Sequence, residues 1–169
     1  MSDLEWMINE GLIEESRSAW SSPMVIVAKK DSSYRICIDY RKINAVTKFD
    51  AYPMPRIDEM LDWIGKVRFI STLDLAKGYG QVPMDPADKE KMAFSSPRGL
   101  YQFNVMPFGL NGAPATFQRM MDHVLQGTEE SVGVYLDDIV VYSNTWPEHL
   151  QHLKVVLQAS ADRRTHFKI

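Results

Sequence analysis

Two adjacent aspartates, Asp137 and Asp138, interrupt an otherwise apolar run from residue 132 to residue 142. The halves on either side, 132–136 and 139–142, are rich in Val, Ile and Tyr, residues that suit a pleated, half-buried strand. The stretch Tyr135-Leu136-Asp137-Asp138 therefore predicts a hairpin with its acids at the tip. Adjacent carboxylates repel each other, and apolar flanks reduce the water that would screen them, so both stay ionised most easily with a cation between them. Taken alone, a solvated acidic turn is the simpler explanation, because Asp is a common turn residue.

What the pair can do depends on the rest of the chain. Its 169 residues, 45% hydrophobic and 24% charged, amount to one domain that can bury most of an apolar core. No low-complexity tract or internal repeat is visible. The start carries Asp3 and Glu5 without an apolar leader, and no apolar run approaches the roughly 20 residues that span a bilayer. An intracellular protein without membrane contact is expected. Cys37 is the single cysteine, which excludes an internal disulfide, and its place in an alternating pattern predicts a buried, inert thiol.

A net charge of −3 argues against a generic nucleic-acid binder, which is usually basic. The distribution of charge says more. Residues 21–48 carry six Lys and Arg against two Asp, whereas 129–150 carry five acids and no Lys or Arg. Such a separation suits a chain that holds phosphates with one part and metal with another, and ordinary surface variation produces it too.

Leu4, Met7, Ile8, Leu12 and Ile13 follow helical spacing, with Gly11 and the 16–23 stretch closing that helix into a loop. Residues 24–28 and 34–40 predict two strands around a basic turn at 29–33, with Arg35, Cys37 and Asp39 on one face. Tyr52-Pro53-Met54-Pro55 is an extended connector, expected to join two subdomains. A short amphipathic helix over 57–64 ends at Gly65, and a strand over 68–73 runs into Asp74. An acid at a strand end followed by a tight turn suits a metal ligand, with N–H groups free for phosphate oxygens; Asp74 as the cap of a following helix is the competing role.

Residues 92–95 and 100–105 predict a further hairpin across Pro97-Arg98-Gly99. The 106–114 loop, built from Pro, Gly and Asn, leads into a helix with Phe117, Met120, Met121, Val124 and Leu125 on a core-facing side. A final helix starts at Pro147 with Leu150, Leu153 and Leu157 on one side. His149 and His152 on it lack a third ligand nearby, which predicts a solvated face rather than a zinc site.

Six stretches then count together and in order: Ser22-Pro23, residues 34–41, Tyr52-Pro53-Met54-Pro55-Arg56-Ile57, Ser71-Thr72-Leu73-Asp74-Leu75, residues 106–118, and Tyr135-Leu136-Asp137-Asp138. In this series the chain resembles the reverse transcriptase domain of Gypsy-type long-terminal-repeat retrotransposons and, more distantly, of retroviruses. The resemblance covers nearly every position. It implies an α+β fold of right-hand polymerase type, with an antiparallel palm sheet and packed helices. Fingers would be residues 1–48 and 82–112, and palm 49–81 and 113–169.

By the same resemblance the chain is the catalytic core of an RNA-directed DNA polymerase. It would transfer a nucleotide from dNTP to a primer 3′-hydroxyl on an RNA or DNA template. Asp74, Asp137 and Asp138 would be catalytic, and Asp74, Leu75, Asp137 and Asp138 would hold two Mg²⁺ ions, for which Mn²⁺ could substitute, as the clamp of an in-line displacement. Lys29, Arg35, Ala76, Lys77, Gly78, Tyr79, Phe108 and Gly109 would bind the nucleotide, with Tyr79 as an aromatic wall against a 2′-hydroxyl. Arg41 and Asn44 would meet the template or serve structurally. The remainder of a Pol-like polyprotein, with thumb and RNase H, would be a partner, in the cytoplasm or a virus-like particle.

Two departures stand out. Gly80 occupies a position where the family usually has a large residue, and Ser32 replaces a common turn glycine. The chain also stops where the family continues to a primer-gripping hairpin, thumb and RNase H, which implies that processive synthesis is lost. A truncated or domesticated remnant that binds nucleic acid or protein without catalysis is the alternative. A cation-binding structural domain unrelated to polymerases survives only if the six-stretch match is accidental.

Overall fold

The computed structural model describes residues 3–28, 34–75, 78–135, 138–162 and 167–168. They fall into two compact units, Met1–Phe49 with Tyr79–Ala113 and Asp50–Gly78 with Pro114–Ile169. In chain order the helices are α1 (Asp3–Asn9), α2 (Arg41–Val46), α3 (Ile57–Ile64), α4 (Ala113–Val124) and α5 (Trp146–Asp162). The strands are β1 (Ile13–Glu15), β2 (Ser22–Ala28), β3 (Tyr34–Ile38), β4 (Phe69–Leu75), β5 (Phe94–Ser96), β6 (Gly99–Phe103), β7 (Val132–Tyr135), β8 (Asp138–Ser143) and β9 (Phe167–Lys168). No helix among the described residues is long and apolar enough to cross a membrane.

In the first unit the opening helix is shorter than its apolar spacing predicts. Gly11 adopts φ +68°, a left-handed conformation that side chains disfavour, and Leu12 N–H returns to the Met7 carbonyl. The chain reverses there, so Ile13 opens β1 instead of continuing a helix, and it is 2% exposed. The sheet order is β1-β6-β5-β2-β3, with β2 and β5 parallel and the other pairs antiparallel. Its core gathers Leu4, Ile13, Tyr40, Ile43, Met92, Phe94, Tyr101 and Phe103. Burying a side chain such as Phe94 contributes about 1.5–3 kcal/mol, and its ring lies 5.3 Å from that of Phe103.

The β2–β3 hairpin matches the expected pair of strands, in register Met24↔Ile38 and Val27↔Arg35. Cys37 is only half-buried there, not enclosed, because β3 is the outer strand of its sheet. Lys29 and Ser32 lie outside the described residues.

The second unit is built on a four-stranded antiparallel sheet ordered β7-β8-β4-β9. Period-two patterning decides its faces. Leu73 and Leu75 on β4 and Ile139, Val141 and Ser143 on β8 are buried, while Asp74 and Asp138 are exposed. Helix α5 packs on β4 and β8 and starts with a reciprocal cap, Thr145 N–H to Glu148 Oε2 and Glu148 N–H to Thr145 Oγ1. Helix α3 approaches β7 at Gly133, where an added Cβ would stand 3.0 Å from Met60 Cε.

Candidate functional site

Asp74 does not cap a helix. It sits inside β4 and is the cross-strand partner of Asp138, in a ladder that runs from Phe69↔Ser143 through Leu73↔Ile139. Directly opposed residues on antiparallel strands have Cβ atoms about 4.5–5.5 Å apart, and like charges placed so are destabilising. The alternation that buries Leu73, Leu75 and Ile139 puts both carboxylates on the opposite face, in water. On the other side of β4, Lys168 is the register partner of Asp74 and Phe167 that of Leu75.

This donor set fits a hard divalent cation. Two carboxylates face each other across a ladder, each on a strand, so Asp74 and Asp138 would supply oxygen ligands to such an ion, which would offset their repulsion. Asp137, Ala76 and Lys77 lie outside the described residues. Among the described residues no group of three His, Cys, Asp or Glu side chains is placed for a metal. The described part of the site is therefore the pair, with Leu75 buried beside it at 3% exposure and Gly78 just beyond at φ +24°.

The remaining expected residues lie in the first unit. The Tyr79 ring is 8% exposed and stands 5.1 Å from the ring of Phe108, which is 64% exposed. Gly109 adopts φ +96°, and a Cβ there would lie 3.6 Å from the Ile38 carbonyl and 3.8 Å from the Tyr40 ring. Asn44 reaches the same loop: its Nδ2 donates to the Gly109 carbonyl and its Oδ1 accepts from Asn111 N–H. Arg41 pairs with Asp39, Nη2 to Oδ2 at 2.7 Å, and its hydrogen bonds hold the Asp39 carboxyl down at about 2. Arg35 is exposed on β3 opposite Val27.

Sequence reading missed two polar networks in the second unit. His149 is not on a solvated face: it is 1% exposed, with Nε2 2.9 Å from Ser71 Oγ and Nδ1 3.0 Å from Ser143 Oγ. Ser143 Oγ also lies 2.8 Å from His152 Nδ1. Two sheet hydroxyls satisfy the ring and make its burial affordable, a pairing that helix spacing alone does not reveal. The connector is tied down as well. Tyr52 donates its hydroxyl to Asp122 Oδ2 at 2.6 Å, Gln118 Nε2 donates to Asp122 Oδ1, and Arg119 clamps Asp50 while covering the Tyr52 ring. The bulky aromatic before Pro53 was the available signal.

The described residues form a mixed α+β fold, and comparison with known proteins identifies its kind. Residues 27–168 match the family described as reverse transcriptase (RNA-dependent DNA polymerase), and the chain belongs to that family. It is 45% identical over 167 residues to the retrovirus-related Pol polyprotein from transposon 297 of Drosophila melanogaster, covering 95% of this chain and 16% of the relative. It is 38% identical over 171 residues to the Pol polyprotein from transposon gypsy of the same species, again 95% and 16%. The chain thus spans about a sixth of the length of these relatives. In structure it is similar to the prototype foamy virus protease-reverse transcriptase, with a TM-score of 0.86 at 26% identity over 97% of this chain and 22% of that one. The foamy viral protein in complex with an RNA/DNA hybrid gives a TM-score of 0.83 at 23% identity, covering 95% and 21%.

Proposed function

We propose that this chain supplies the metal and nucleotide centre of an RNA-directed DNA polymerase, transferring a nucleotide from dNTP to a primer 3′-hydroxyl on an RNA or DNA template. The observation that carries the reading is the Asp74↔Asp138 register pair within a family whose members are polymerases. Asp74 and Asp138, joined by Asp137 and the backbone beside Leu75, would hold two Mg²⁺ or Mn²⁺ ions. When bound, such ions supply activation of the attacking hydroxyl and neutralisation of the leaving pyrophosphate. The aspartates act as ligands and never as nucleophiles.

The other residues bind and orient. Tyr79, with the tilted ring of Phe108 5.1 Å from it, would form an aromatic wall that admits a deoxyribose and excludes a 2′-hydroxyl. Backbone N–H groups from Ala76 to Gly78 would receive phosphate oxygens, and Lys29 and Arg35 would add positive charge to the triphosphate. Recognition of the template-primer would rest on backbone and shape, since every base pair must be accepted. The unit containing β2 and β3 takes the part of fingers and the unit containing β4 and β8 the part of palm, a reading supported by where the two units divide.

The test is single-nucleotide incorporation on a primed RNA template with Mg²⁺, comparing the chain with Asp138→Asn. Incorporation that vanishes in the variant supports the reading. Nucleotide binding without incorporation would assign only the binding sites to this stretch. Absence of both would replace the reading with a non-catalytic remnant.

A further inference from the structure

Asn44 commits both ends of its side-chain amide to one loop. Its Nδ2 donates to the Gly109 carbonyl at 2.8 Å and its Oδ1 accepts the Asn111 N–H at 2.9 Å. A group that donates and accepts at once fixes both the position and the direction of the backbone it holds. The anchor is firm. Just before Asn44, Tyr40 is 2% exposed with its hydroxyl on the Met92 carbonyl at 3.0 Å, and Ile43 is in the same core. At Gly109 a Cβ would stand 3.6 Å from the Ile38 carbonyl and 3.8 Å from the Tyr40 ring, and the φ of +96° favours glycine.

The residue carried by this braced loop is Phe108. Its ring is 64% exposed and still held 5.1 Å from Tyr79. An exposed aromatic ring keeps one position only if the backbone beneath it is held, and the bonds that hold it come from Asn44.

We infer that Asn44 is a positioning residue for nucleotide selection: it sets Phe108 against Tyr79 and so shapes the wall that meets the sugar, instead of reading the template. The inference rests on the proposed role of Tyr79 and Phe108. It assigns to the Asn44 amide a task in the fold that uses one of its two N–H donors and one of its acceptor lone pairs.

The test uses the whole chain and two substitutions, Asn44→Ala and Asn44→Asp, the second being nearly isosteric and keeping the acceptor for Asn111. Three quantities are read: hydrogen exchange at the Asn111 amide, affinity for dTTP and UTP with Mg²⁺ in the presence of a short primed RNA, and affinity for the primed RNA itself. With Asn44→Ala, which removes both bonds, Asn111 exchange accelerates, dTTP affinity falls roughly five- to tenfold, and the preference for dTTP over UTP narrows. Affinity for the primed RNA stays unchanged. With Asn44→Asp, Asn111 remains protected and the effect on dTTP is smaller.

Unaltered Asn111 exchange in Asn44→Ala overturns the brace. Faster exchange with an unchanged dTTP preference, or equal losses for dTTP and UTP, overturns the positioning role, and a loss confined to the primed RNA makes Asn44 a template contact. Failure of the unsubstituted chain to bind dTTP sinks the proposed function and this inference together. Binding that Asn44→Ala leaves intact sinks the inference alone.

Discussion

Asp74 and Asp138 face each other as register partners on β4 and β8, both exposed, on the sheet face opposite the one that α5 covers. Neither strand is short or frayed at the other end of the ladder, where Phe69 pairs with Ser143 and the Phe69 ring lies 5.6 Å from Trp146. Two like charges are thus set opposite each other by apolar packing that neither contributes to. Folding the sheet creates the repulsion, and a divalent cation bound there would relieve it.

In chelator, Asp74→Asn should therefore raise stability slightly, by up to about 1 kcal/mol, because it removes one of two opposed charges. Mg²⁺ should stabilise the parent chain and do little for the variant, since only a species that binds the native state raises its stability. Thermal melts with and without Mg²⁺ read both effects. A variant less stable in chelator and still stabilised by Mg²⁺ would contradict the pairing.

Gly109→Ala should cost about 1–3 kcal/mol, as expected for a side chain forced into a left-handed backbone. The cause is conformational and not a clash, since its added Cβ meets the Ile38 carbonyl at 3.6 Å, an ordinary contact. Urea unfolding measures the loss. A change below a few tenths of a kcal/mol would mean that the loop simply rearranges.

Burial, reinforced by the neighbouring His152, holds the His149 pKa below its ordinary value of 6.5. The unfolded chain therefore binds a proton that the native ring resists. This contribution to stability is complete above pH 6.5 and is lost as pH falls through the lowered native value. Ser143→Ala should cost about 1–3 kcal/mol at pH 7.5 by stripping a partner from His149 Nδ1. Urea unfolding of both proteins between pH 5 and 8 tests this, and a parent stability that rises on acidification would refute the sign.

A side chain at Gly133 would press on Met60 where α3 meets β7. Gly133→Val should destabilise by about 1–3 kcal/mol through overpacking against Met60, and Met60→Ala added to it should recover part of the loss. A double-mutant cycle gives the coupling, and strictly additive effects would show that the two do not touch.

Much of this was legible before the structure. The strands that carry the acids were legible in their apolar runs, but the face Asp138 takes was not, because Val140 and Tyr142 are as apolar as Ile139 and Val141. That Asp74 meets Asp138 was expected from the resemblance and not from local pattern, because register between residues 64 apart (138 − 74) is set by tertiary packing. Leu12 and Ile13 fitted a helix by spacing alone, and the left-handed turn at Gly11 overrode it. His149 looked solvated because its partners, Ser71 and Ser143, come from the sheet. β9 spans Phe167–Lys168, too few residues to leave a pattern.

The most direct measurement of the central claim is Mn²⁺ binding followed by electron paramagnetic resonance, in the presence of dTTP, for the parent chain, Asp74→Asn and Asp138→Asn. Protein-dependent Mn²⁺ binding that is weakened by each substitution is the predicted result. Binding that survives both substitutions unchanged would show that the opposed aspartates are not the metal centre.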